Sequence, residues 1–205
     1  EPVRFAVPRK RLRADLDHLG IGADRTDDLL VTPFATVVRG TFDPATVGRT
    51  LRRSGYEPAG AYRGYDRFAR EDVRRRAAVA AGTVVWTSER VHDRPAHEAL
   101  IDARDGRRRR YHEADAAVER LTDRVGASRA VELIPPNGAR YWHSVEAFRF
   151  DERAAYHVRT FRYPEGRSVP ETDLRDRFRR GTVLTREVDH SDLRVDGRTV
   201  TVEGR

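Results

Sequence analysis

The sequence predicts an α+β fold, antiparallel sheets with helices on one face, and three observations carry that expectation. Short runs rich in β-branched and aromatic residues alternate with segments of helical period. Turn signals at Gly82 and at Asp196-Gly197 join neighbouring runs as hairpins, which makes the pairing antiparallel. One helix pattern also occurs twice: Pro44, Thr46, Arg49, Arg53 and Gly55 match Pro170, Thr172, Arg175, Arg179 and Gly181 at a constant offset. Each copy follows one strand and precedes two, a pattern compatible with two ferredoxin-like β-α-β-β halves that share a sheet or pack as two.

Element by element, Val3 to Val7 reads as a strand. Arg9 to Leu19 reads as a helix whose Leu12, Leu16 and Leu19 share a face and whose end falls at Gly20. Leu29 to Phe42 is extended, with an interruption at Pro33. Asp43 is a good N-cap and Pro44 suits the first helical position; Val47 and Leu51 form the inner stripe, and Gly55 stops the helix. Tyr62 to Phe68 reads as a strand, and Ala77 to Ala81 with Val84 to Ser88 as a hairpin. Pro95 opens a helix with Ala96, Leu100 and Ala103 on one face. Another helix, Glu113 to Val125, turns Ala117, Val118, Leu121 and Val125 inward.

Pro135-Pro136-Asn137-Gly138 stops both helix and strand. It separates a first α+β half at 29–134, preceded by an N-terminal segment at 1–28, from a second at 135–205, the alternative being one continuous domain. Beyond it come strands at Val145 to Phe150 and Ala155 to Tyr163, then a helix from Pro170 with Leu174 and Phe178 inward. A strand at Val183 to Val188 and a hairpin from Leu193 to Val202 complete the order.

A chain of 205 residues can bury a real core, and although 36% of its residues are charged, the signs interleave as on a solvated surface. No apolar run approaches the roughly 20 residues a bilayer span needs. With no Met in it, the chain is expected to be a trimmed product, and Glu1-Pro2 fits a mature N-terminus left by a removed export signal. The absence of Cys excludes disulfides and thiolate chemistry within it.

The formal charge of +7, almost all of it arginine, points to a polyanionic partner. The densest cluster is Arg107, Arg108, Arg109 and Arg110. Tyr141, Trp142 and His143 follow the Pro-Pro-Asn-Gly loop as an aromatic contact group. His92 and His97 are five apart with Pro95 between them, which suits two surface histidines at a helix start better than a metal pair. Asp189-His190-Ser191-Asp192 has the residue types of a hydrolase triad, but neighbours in one turn cannot align for it, and no nucleophile-elbow pattern accompanies them. Gly20-Ile21-Gly22 lacks the further glycine and the Lys-Ser/Thr of a phosphate loop. No cofactor and no metal are expected.

The run Gly40 to Pro44, the helix closing on Arg53-Ser54-Gly55-Tyr56-Glu57, Tyr62 to Asp66, Ala77 to Trp86, Ala99 to Ala103 and Val195 to Val200 carry a resemblance. In element order, over about two thirds of the chain, they are similar to a family of uncharacterised exported proteins of haloarchaea, often lipoproteins. The family supplies no activity and no functional residues; it implies export or membrane anchoring. Its members are usually acidic, and this chain departs from them in being basic.

Together these readings give a non-enzymatic module, exported or anchored at the cell surface, that engages an acidic protein or glycan through Arg107 to Arg110 and Tyr141 to His143. The alternative is an intracellular nucleic-acid-associated protein built on a ferredoxin-like sheet. It lacks the RNA-recognition aromatic motif.

Overall fold

The structure, a computed structural model, describes residues 19–87, 93–134, 143–152, 154–179 and 191–205. The strand expected at residues 3–7, the helix expected before Leu19, the loop at 135–138 and the strand expected at 183–188 lie outside them. The described chain is mixed α+β with antiparallel pairing, and it divides into two compact units, residues 1–110 and 111–205. The sequence-based boundary at residue 135 fell later, at the strongest loop signal.

The first unit runs β1 (Thr26–Val31), β2 (Ala35–Gly40), α1 (Pro44–Arg53), β3 (Glu57–Tyr62), β4 (Tyr65–Arg70), β5 (Arg75–Ala80), β6 (Thr83–Thr87) and α2 (Arg94–Arg104). Its strands lie in the order β1-β2-β6-β5-β4-β3. Thr32 closes the first turn: its Oγ1 accepts from the Ala35 amide at 2.9 Å and donates to the Ala35 carbonyl at 2.7 Å. The Asp43 carboxylate accepts from the Ala45 and Thr46 amides, Pro44 occupies the first turn, and α1 buries Val47, Gly48 and Leu51.

The strand expected from Tyr62 through Phe68 is two strands. Arg63 (φ 50°) and Gly64 (φ 81°) both take left-handed geometry at the centre of the β3–β4 hairpin, as a type I′ turn requires. β3 was missed because Pro58 and Gly60 read as breakers. It sits at the outer position beside β4, where Pro is tolerated, with an irregularity between Pro58 and Ala61.

Strand alternation decides which faces are covered. Tyr65 and Arg67 point to one side of β4, and Tyr65 packs with Ala78, Val85 and Ile101 of α2. Phe68 points to the other side, in line with Ala77 and Trp86, and a Cβ on Gly48 of α1 would stand 3.1 Å from its ring. The helices therefore cover both faces, which corrects the one-face expectation. The physical reason is that all five residues of β6 are buried, so each of its faces needs a partner.

The second unit runs α3 (Tyr111–Ala114), α4 (Ala116–Val125), β7 (Ala130–Ile134), β8 (His143–Phe150), β9 (Ala155–Arg162), α5 (Glu171–Arg179), β10 (Ser191–Asp196) and β11 (Thr199–Gly204), with strand order β10-β11-β9-β8-β7. The helix expected from Glu113 onward is broken at Asp115. Its carboxylate accepts from the Ala117 and Val118 amides at 2.8 and 3.2 Å and starts α4 afresh. Val118, Leu121 and Val125 then pack on Leu133, Val145, Ala147 and Val158. Leu174 of α5 packs on Leu193, Val200 and Val202. In the last hairpin Asp196 pairs with Thr199, so the central residues are Gly197 (φ 55°) and Arg198, one position later than the sequence suggested.

The two copies of the helix pattern thus sit in different surroundings. Among the described residues α5 is followed by two strands, and β9, β11 and β10 are neighbours in that order. α1 is followed by four, the last of which lies beside β2.

Candidate functional site

The four-arginine run begins where α2 ends. Asp105 caps the helix, Gly106 takes φ 72°, and the Arg107 amide donates to the Asp102 carbonyl at 2.8 Å. Arg107, Arg108, Arg109 and Arg110 are all exposed. The negative end of the helix favours cations there, and Arg110 Nε donates to the Ala103 carbonyl at 3.4 Å. Many other surface arginines are neutralised locally: Arg39 by Asp28 at 3.4 Å, Arg63 by Asp102 at 2.7 Å and Arg94 by Glu98 at 2.9 Å. Among the described residues Arg107 and Arg108 have no such ion pair.

Tyr141 and Trp142 lie outside the described residues. His143 faces inward and is buried; the exposed group beside it is Tyr111, whose hydroxyl meets His143 Nε2 at 3.2 Å with the rings edge to face. Burial pushes the His143 pKa down, against a smaller opposing pull from the charge of Asp115.

A polar layer lies between α2 and the sheet of the first unit. The Tyr62 hydroxyl donates to Asp102 and the Tyr65 hydroxyl to Asp105, both at 3.1 Å, while buried Arg67 pairs with Glu98. These bonds occupy the carboxylates and lock the helix to the strands. His97, expected at the surface, is 1% exposed. Its neighbour Ile101 is also buried and Leu100 packs against the same cluster, so the inner face of α2 runs along 97, 100 and 101, of which the sequence placed only Leu100 there. The alanines at 96 and 103 drew the sequence reading to one side of Leu100, whereas the larger His97 and Ile101 side chains fill the space on the other. Burial takes the His97 pKa down to about 4, a bond to the Val85 carbonyl opposes this, and the charges of Arg76 and Arg67 reinforce it. His92 lies outside the described residues, as do Asp189 and His190. Among the described residues no group of three His, Cys, Asp or Glu side chains is placed to hold a metal ion.

The second unit carries a cleft that sequence reasoning missed. Arg162 ends β9, paired across the sheet with His143 on one side and Thr199 on the other. The Tyr163 amide donates to the Arg198 carbonyl at 2.8 Å, which ties the end of β9 to the β10–β11 turn. Between them and the first turn of α4 is a cleft of about 240 Å³ lined by Ala117, Arg162, Tyr163, Pro164, Glu165 and Arg198. Arg162 donates to Thr199 Oγ1 at 3.3 Å. Burial lowers its pKa, the charges of Arg198 and Arg120 lower it further, and Glu165 opposes them. No described carboxylate forms an ion pair with any of these three arginines. They are scattered along the sequence, and only the strand register and the start of α4 bring them together.

The fold and these surfaces define a mixed α+β protein whose exposed chemistry is dominated by arginine. No protein-family model, curated protein or solved structure matches the chain.

Proposed function

We propose that the protein is a non-enzymatic binding module that engages an acidic protein or glycan at the cell surface. The observation that supports this most is the four-arginine run after α2: four consecutive exposed arginines, two of them, Arg107 and Arg108, without an ion-pair partner among the described residues. Holding four like charges side by side costs self-repulsion, which an acidic partner relieves. Tyr111, next in the chain, is 42% exposed. The resemblance to exported haloarchaeal proteins favours the extracellular or membrane-anchored compartment. No described helix is long and apolar enough to cross a membrane.

The ferredoxin-like pseudo-repeat belongs to the same reading. The order β9-β11-β10, with α5 connecting the outer two, supports a split β-α-β arrangement in the second unit.

The test is binding of the intact chain to immobilised polyglutamate and to heparin, with duplex DNA as the competing polyanion. Alanine at all four of residues 107–110 is expected to weaken binding to the acidic polymer by at least about tenfold at low salt. Unchanged binding would remove the electrostatic basis of the proposal, and tighter binding to DNA than to either acidic polymer would favour the nucleic-acid alternative.

A further inference from the structure

The cleft at the end of β9 has a shape and a donor set that call for a ligand of its own. We infer that it binds a phosphate group that retains a proton, either inorganic phosphate or the phosphate of a small monoester. This inference is independent of the partner-binding proposal, because none of the residues in it belongs to the 107–110 run.

Three observations support it. Arg162 and Arg198 line one cleft, and the charge of Arg120 reaches Arg162 from the first turns of α4. Guanidinium groups crowd in this way at a net cost unless an oxyanion sits among them, and their planar forks match its oxygens two at a time. The Arg162 guanidinium is aimed by Thr199, and the backbone at Arg198 is tied to β9 by the bond from Tyr163, so one donor and the wall that carries the other are set before a ligand arrives. The volume of about 240 Å³ is below the range of drug-sized pockets and suits a small oxyanion or the charged end of a larger molecule.

Glu165, on the wall of the same cleft, decides which oxyanion. An ionised carboxylate there repels a fully ionised anion but accepts a hydrogen bond from one that keeps an O–H. Near neutral pH phosphate keeps such a proton and sulfate has none, so the cleft selects phosphate over sulfate.

The experiment titrates the intact protein with inorganic phosphate, sulfate and glycerol phosphate at constant ionic strength and about pH 6.5, where inorganic phosphate keeps at least one proton and part of the monoester keeps one. Binding is read by calorimetry and by chemical-shift changes of the arginine side-chain NH groups. Saturable phosphate binding is expected, weakened about tenfold or more in Arg198→Ala and in Arg162→Lys, which keeps the charge but loses the fork. Sulfate is expected to bind several-fold more weakly, and Glu165→Gln to close that gap. Tighter binding of glycerol phosphate would assign the cleft to a phosphorylated molecule, and equal binding to the free ion. Replacing Arg107 to Arg110 by alanine should leave phosphate binding unchanged. The inference is overturned if phosphate binding does not saturate, if Arg198→Ala and Arg162→Lys both bind as the parent does, or if sulfate matches phosphate.

Discussion

Among single residues, His97 makes the sharpest prediction. Its pKa in the folded chain is about 4, against 6.5 as the ordinary value. Between those values the unfolded chain binds a proton that the folded chain does not, so stability rises with pH there. It is complete above about pH 6.5 and falls as the pH drops toward 4, by on the order of 3 kcal/mol. Urea titrations across this range should show the loss, and His97→Gln should flatten it. A second prediction concerns Arg67, 5% exposed and balanced by Glu98. Glu98→Gln leaves a buried guanidinium without its counter-charge and should lower the urea midpoint clearly, whereas Arg94→Ala, whose side chain is mostly exposed, should hardly move it. Gly40 provides a third. A Cβ there would stand 1.9 Å from the Arg25 carbonyl oxygen, a backbone atom that cannot swing away. Gly40→Ala should cost about 3 kcal/mol by thermal or chemical denaturation.

Elements are governed by caps and stripes. Leu121 is fully buried where α4 meets β8 and β9, so Leu121→Ala should destabilise the protein by about 2–5 kcal/mol in urea unfolding. Asp115→Ala removes the cap that restarts α4 and should cost about 1 kcal/mol. These examples also show what the sequence made legible. The Asp43-Pro44 start of α1, the Val118–Leu121–Val125 stripe and the Gly82 hairpin could be read directly, because each rests on contacts between residues close in the chain. β3 could not, since an outer strand tolerates the Pro58 and Gly60 that local rules count as breakers. The break at Asp115 was hidden because Asp also occurs within a helical period. The burial of His97 was hidden as well: which side of α2 faces the sheet is settled by the volume available beneath it, not by residue type.

For the molecule as a whole, strand pairing and charge distribution act together. The exposed arginine run was legible because the four residues are consecutive. The cleft lined by Arg162 and Arg198 was not, because the pairing of β9 with β8 and β11 assembles it from distant segments. Covering both faces of the first unit's sheet turns its apolar surface inward and leaves a surface dominated by charge. The central claim, that the 107–110 run is the electrostatic contact for an acidic partner, is tested most directly by the salt dependence of binding. Affinity of the intact chain for polyglutamate should be measured from low to physiological ionic strength, for the parent protein and for the variant with alanine at all four positions. The account predicts that log affinity falls steeply with log salt in the parent, and that the slope drops by about 3 in the variant as released counterions are lost. The same slope in both proteins would contradict it, because the charges would then make no contact.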